Sequence, residues 1–281
     1  MNQLNTERRT QVVKALCEGN SIRSTARMTG VAINTVVKLL TELGSACLDY
    51  QDATLRSLPC TELQCDEIWS FVYAKEKNVP ADHQGEFGYG DVWTFTAIDS
   101  TTKLVPCWMV GQRNGLFAED FMRNLASRLS NRVQLTTDGH RMYLKAVDDA
   151  FGADIDYGML VKHYEGEEHR EKRYSPAKFV SATKEVIQGD PDKAKISTSY
   201  VERNNLTMRM SMRRFTRLTN GFSKKLENHI YAISLHFMHY NFCRTHKSLA
   251  NPYARTPAMA AGVTDHIWTV EELIGLLDKS N

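Results

Sequence analysis

Apolar residues recur at helical spacing near the N-terminus. Val12, Val13 and Leu16 mark one face of "TERRTQVVKALCE", residues 6 to 18, until "GN" at 19 and 20 breaks the pattern. A second helix is predicted from Ser21 as N-cap through "SIRSTARMTG", with Ala26 inward and Gly30 ending it. A third, "INTVVKLLTELG", turns Val36, Leu39, Leu40 and Leu43 inward and leaves Asn34, Thr35 and Lys38 outside. Three short helices with a glycine-containing turn between the last two make a helix-turn-helix candidate over residues 1–45. In that arrangement Asn34, Thr35 and Lys38 enter a major groove, while Arg23 and Arg27 lie near the DNA backbone. The alternative is a small helical bundle that mediates dimerisation or packs on the rest of the chain.

Periodicity fades over residues 46–62, which end near Pro59 and read as a linker. The pattern then changes to strands rich in aromatic and branched residues. "LQCDEIWSFVYA" (63–74), "DVWTFTAIDS" (91–100) and "KLVPCWMVG" (103–111) form an expected antiparallel set. A helix at 118–130, a strand at 132–138, a helix through "MYLKAVDDAF" and a strand at 155–164 follow. This order predicts an α/β fold, a mixed five-stranded sheet covered by helices. Residues 165–198 are charged, contain Pro176, Gly189 and Pro191, and read as a long loop. Two long helices are expected next, separated near Asn220 and Gly221, and "TVEELIGLLDKSN" reads as a short amphipathic helix docked on the body.

With 281 residues, 42% of them hydrophobic, the chain can bury one sizeable core and carry a small second domain. Its longest uncharged apolar stretch is about "LVPCWMVG", far short of the ~20 residues of a bilayer span, and "MNQLNTERRT" has no signal-peptide core. The expectation is a cytoplasmic protein. Six cysteines without a CxxC pair read as reduced thiols. The net charge of +2 announces no partner, but its distribution is informative. Residues 1–40 carry six Lys/Arg against two acids, and residues 199–225 carry seven against one. Either segment could face a polyanion.

Three acids stand out. Asp66 lies among apolar neighbours in the first strand, where an unpaired carboxylate is costly, although its neighbour Glu67, on the opposite strand face, could be the functional residue instead. Asp138 ends the fourth strand before a glycine, a position also common for turn aspartates. Glu202 begins a helix, where the dipole alone favours an acid. If the first and fourth strands are neighbours, the two aspartates converge, and a helix crossing the sheet edge can add Glu202. Such a cluster suits hard divalent cations, and a two-ion site can drive in-line phosphoryl transfer on a phosphodiester.

Read in order, "CDEIWSFV", "TTDGH", "TSYVERNNLTMRM", "RRFTRLTN" and "HYNFCRTHKSL…TPAMAAG" resemble bacterial insertion-sequence DDE transposases, of the retroviral-integrase and ribonuclease-H-like superfamily. The likeness is to short insertion sequences whose transposase joins an N-terminal helix-turn-helix to this core, and it spans roughly residues 6–262. It implies a ribonuclease-H-like catalytic domain over 63–262 and a C-terminal tail over 263–281. It places the family's catalytic, metal-ligating acids on Asp66, Asp138 and Glu202. It implies Mg²⁺, with Mn²⁺ able to substitute, and double-stranded DNA as partner, both transposon ends and target. It further implies a homo-oligomer holding two ends, with no membrane. The implied reaction is hydrolytic nicking at the ends, then attack of the freed 3′-hydroxyl on target DNA, without a covalent protein–DNA intermediate. The loop at 165–198 and the tail match no family motif. A non-catalytic DNA-binding regulator and a nuclease without strand transfer are the rival readings.

Geometry adds a basic face. At 100° per residue, Arg209 and Arg213 fall within about 20° of Glu202, and Arg217 about 60° away, so one helix would lead from a metal ligand to a row of guanidiniums suited to phosphates. Asn205 is a nearby polar candidate. A solvated or salt-bridged helix face is the alternative. Arg203 and Arg214 point elsewhere, toward Glu167, Glu168 or Glu171. His229, His236, His239 and His246 sit in an aromatic-rich segment that reads as a packing helix rather than a second metal site.

Overall fold

A central strand buried along most of its length organises the molecule, a computed structural model that describes residues 4–164, 179–216 and 220–279. The six strands are β1 (Glu62–Val72), β2 (Gly90–Asp99), β3 (Cys107–Gly111), β4 (Gln134–Asp138), β5 (Asp156–Tyr164) and β6 (Phe179–Gln188). They form one mixed sheet in the order β3-β2-β1-β4-β5-β6. β2 runs antiparallel to β1 and to β3, whereas β4 runs parallel to β1 and to β5. Helices flank the sheet: α4 (Gly115–Ala126) and α5 (Met142–Phe151) pack together, and α6 (Ser199–Ser211) lies against β1 and β2. The fold is therefore α/β with a mixed sheet, as the ribonuclease-H-like resemblance implies.

The sheet has six strands rather than five. β6 lies inside the segment read as a loop, and it pairs antiparallel with β5. Nearly all its residues are exposed, so no apolar alternation betrays it; backbone pairing at the sheet edge holds it.

The N-terminal helices α1 (Thr6–Cys17), α2 (Ile22–Thr29) and α3 (Ile33–Thr54) share the main core. Gly30, at φ 66°, closes α2, and α3 leaves at a bend of 114°. No single described helix is long and apolar enough to cross a membrane. α3 continues to Thr54, through much of the segment read as a linker. Its buried face runs Leu43, Ala46, Cys47 and Gln51, and the polar Gln51 hid the periodicity. Buried, Gln51 Nε2 donates to the Cys47 and Ser234 carbonyls.

α3 packs along α7 (Leu226–Met238), with α8 (Pro257–Ala260) and α9 (Val270–Lys279) completing the helical side. α1 and α3 both contact α9, so the C-terminal segment is docked rather than loose. All six cysteines are free thiols.

The α3–α7 contact is set by one residue. A methyl on Gly44 would stand 2.5 Å from both Cβ and the carbonyl oxygen of Tyr231. Gly44→Ala must part the helices and is expected to cost about 2 kcal/mol in urea unfolding. Gly115→Ala, whose methyl meets nothing within 4 Å, should stay within about 0.5 kcal/mol of the parent. Equal stability of the two variants would contradict the packing described.

Candidate active site

Register brings the first two acids together. The parallel β1–β4 ladder ends with Cys65 opposite Thr137, so Asp66 and Asp138 are the next residues on neighbouring strands. Asp66, Asp138 and Glu202 line one cleft of about 490 Å³, together with His140, Lys162 and Thr198. Three segments far apart in sequence thus supply its carboxylates.

α6 is held to β1 by side chains. Thr198, at the N-cap, makes no capping bond, and the first-turn N–H groups of Tyr200 and Val201 instead donate to Gln64 Oε1 at 2.8 and 3.2 Å. Two residues along the same strand face, Asp66 Oδ2 accepts from Asn205 Nδ2 at 2.9 Å. The sequence made Asn205 a candidate DNA contact; in the fold it is 5% exposed and its amide is turned onto Asp66.

Asp138 takes the turn role and also lines the cleft. Its Oδ1 accepts the His140 N–H at 3.0 Å, closing the turn, while Oδ2 stands 3.9 Å from the Arg113 guanidinium. Arg113 also reaches Glu67 Oε2 at 3.2 Å and lies over the Trp93 ring. Glu67 joins Asp66 and Asp138 in a cluster whose ligand oxygens lie within 4.8 Å of one another. β4 stops at Asp138, so carboxylates from either face of β1 can approach there. Glu202 lies outside that cluster: Lys162 from β5 and the Thr198 hydroxyl both hold its Oε1.

The electrostatics are those of crowded, partly desolvated acids. Burial pushes Asp66 up to about 6, with Asp138 and Glu202 adding to the rise and Lys162 opposing it. Burial likewise pushes Glu67 up to about 7, helped by Asp138 and Asp66 and opposed by Arg113. The buried Tyr143 hydroxyl beside Glu67 also opposes that rise. The donors of these acids are hard carboxylate oxygens, the set a divalent Mg²⁺-like ion prefers.

The arginine row is only partly realised. α6 ends at Ser211, and Met212 is extended (φ −134°, ψ 114°), so Arg213 lies in a following 3₁₀ turn and not on the helix face of Glu202. The space a further turn needs is filled: Gly19 abuts the Ser211 carbonyl and Gly221 that of Arg213. Arg209 remains on α6, half-buried, while Arg217 lies outside the described residues, as do Glu167, Glu168 and Glu171. Arg23, Arg27, Asn34, Thr35 and Lys38 are all exposed on α2 and α3, and Lys38 pairs with Glu42. His229 is buried against Ser70 and His236 among aromatic rings, both held down to about 3 by burial, so the packing reading of that helix stands.

Arg113, Lys162 and the positioning residue Gln64 escaped the sequence reading, and Asn205 was named there only as a polar candidate and not as a partner of Asp66. Lys162 had a signal that needs the sheet to be used: Leu160 pairs with Asp138, so Lys162, two further on, shares its face.

Two outcomes follow. Replacing Gln64 by Ala leaves the buried Val201 N–H and the partly buried Tyr200 N–H unpaired, so stability should fall by about 1–3 kcal/mol and divalent-ion affinity should drop, read by calorimetry. Unchanged ion affinity would separate this contact from the site. The second concerns pH. Asp66 and Glu67 titrate higher folded than unfolded, so the stability their protonated forms confer is present below about 4 and lost as pH rises to about 7. Without divalent ions, melting temperature should fall over that window. Added Mg²⁺ or Mn²⁺ should raise it more at pH 8 than at pH 5, and an equal rise at both would remove these acids from ion binding.

No protein-family model matches the chain, and no curated protein matches it. Among solved structures it is similar to the Mos1 transposase paired-end complex with left transposon end, at 12% identity and TM-score 0.24, covering 56% of this chain and 60% of that one. It is similar also to the Mos1 mariner paired end complex with Mn, at 10% identity and TM-score 0.29, covering 85% and 76%. A third is the piggyBac transposase synaptic complex with hairpin DNA, at 12% identity and TM-score 0.34, covering 93% and 57%. The chain spans less than two thirds of the first and third of these.

Proposed function

We propose that the protein is a DNA transposase of the DDE type, which nicks transposon ends and transfers the freed 3′-hydroxyl to target DNA. The observation that carries this reading is the convergence of Asp66, Asp138 and Glu202, from β1, β4 and α6, on one cleft. Isolated turn or cap acids have no reason to meet. The sequence likeness to insertion-sequence transposases runs through the same three residues.

The residues fit a divalent metal, Mg²⁺ with Mn²⁺ able to substitute. Asp66 and Asp138 supply clustered oxygens, and Glu202, released from Lys162, would complete the set. A bound metal supplies activation of the attacking oxygen and stabilisation of the leaving one. The chain's own groups prepare the site. Asn205 and the Glu67 N–H orient Asp66, the His140 N–H orients Asp138, and Arg113 balances charge between Glu67 and Asp138. Lys162 holds Glu202 and offsets its charge. The exposed Asn34, Thr35 and Lys38 read the ends in the major groove, with Arg23 and Arg27 on phosphates, and a homo-oligomer brings two ends together.

Asp66→Asn, Asp138→Asn and Glu202→Gln should each lower metal-dependent nicking and strand transfer on end-bearing DNA by at least 10³-fold, with folding and end binding retained. A regulator would bind without cutting, and a plain nuclease would cut without joining. Full strand transfer by any of the three variants would remove that residue from the mechanism.

A further inference from the structure

A second cleft, about 690 Å³, lies between the N-terminal helices and the chain that follows α6. Its walls carry four cations: Arg23 from α2, Arg213 and Arg214 from the 3₁₀ turn, and Lys224 ahead of α7. Among the described residues no acid lines it. Arg214 donates from Nε to Ser223 Oγ at 2.7 Å, and burial pulls it down to about 10. His236 also lines the cleft, 8% exposed, and its Nε2 makes no hydrogen bond among the described residues. A desolvated guanidinium with no acid among the described lining residues calls for a ligand rich in acceptors, and the unpaired His236 nitrogen leaves a further polar contact open to it.

We propose that this cleft is a phosphate-binding site whose occupant is the backbone of DNA. Arg23 and Arg27 are one turn apart on α2, so the row of cations runs out of the cleft and needs more than one phosphate to meet it. The cleft opens at the C-terminal end of α6, while Glu202 sits in its first turn. Nine residues of helix separate Glu202 from Ser211, about 14 Å or roughly four base-pair steps of duplex. A backbone held here would bridge the N-terminal helices and the carboxylate cleft. The occupant's identity rests on the DNA-acting reading; the site itself does not.

The test uses the full chain in EDTA, carrying Asp66→Asn so that the outcome is independent of metal chemistry. Melting temperature is titrated with inorganic phosphate against chloride at matched ionic strength, and binding of a labelled duplex is followed across salt concentrations. Arg213→Gln/Lys224→Gln removes two exposed cations of the cleft. Arg203→Gln/Lys225→Gln removes two exposed cations outside it. The expected result is a saturable phosphate stabilisation weakened at least tenfold only in the cleft variant. The slope of log K against log salt should be shallower by about two in that variant alone. No saturable phosphate response, or equal losses in both variants, overturns the site. A lost phosphate response with an unchanged DNA salt slope overturns DNA as its occupant.

Discussion

The arrangement depends on how α6 is fastened to β1. Gln64 and Asp66 occupy the same face of one strand, two residues apart, and each side chain engages α6. Gln64 accepts the orphan N–H groups of the first turn, and Asp66 accepts from Asn205 one turn further on. Glu202 lies between these two attachments. Its position is therefore set by neutral or singly charged hydrogen bonds and not by the mutual behaviour of the acids, which repel. A helix capped only by its own Thr198 could tilt away from that repulsion. One capped by the sheet cannot do so without exposing buried donors.

The far end of α6 is braced in the same spirit. The turn at Gly19 abuts the Ser211 carbonyl, and Gly221 abuts the carbonyl of Arg213, so backbone meets backbone at the helix exit. The N-terminal helices owe their own seat to Gly44 against Tyr231. These contacts make α6 a strut between two clefts of opposite character. One is lined by Asp66, Asp138 and Glu202, the other by Arg23, Arg213, Arg214 and Lys224.

Much of this was legible in the residues, and the exceptions have physical causes. Strands β1 to β5 declare themselves because burial enforces apolar spacing there. β6 pairs at the sheet edge and buries almost nothing, so it leaves no such mark. The run of α3 beyond residue 45 was concealed by Gln51, whose Nε2 donates to Ser234 across the core, a partner 183 positions away. The three acids were readable by their local contexts. Their keepers were not: Gln64, Asn205, Arg113 and Lys162 act across strand pairs and helix contacts that only the folded sheet creates. The projected helical row of arginines failed at Met212, where local spacing permits another turn but neighbouring backbone occupies its place.

Helix physics accounts for part of the charge pattern and not for the rest. The dipole of α6 favours an acid in its first turn and cations past its last, each contact being worth about 0.3–1 kcal/mol. That suffices to explain Glu202 alone, or Arg213 and Arg214 alone. It does not explain the carboxylate cluster, because two unit charges about 4 Å apart at an effective dielectric of 20 repel by about 4 kcal/mol. With ligand oxygens of Asp66, Glu67 and Asp138 within 4.8 Å, the repulsion exceeds anything the helix returns. Arg113 and Lys162 offset two of the four negative charges that Asp66, Glu67, Asp138 and Glu202 carry when ionised. Burial is the main reason that Asp66 and Glu67 titrate high, and the neighbouring carboxylates add to the rise. The two negative charges left over, presented on hard oxygens in an open cleft, equal the charge of one divalent cation, which is the ion the proposed function requires.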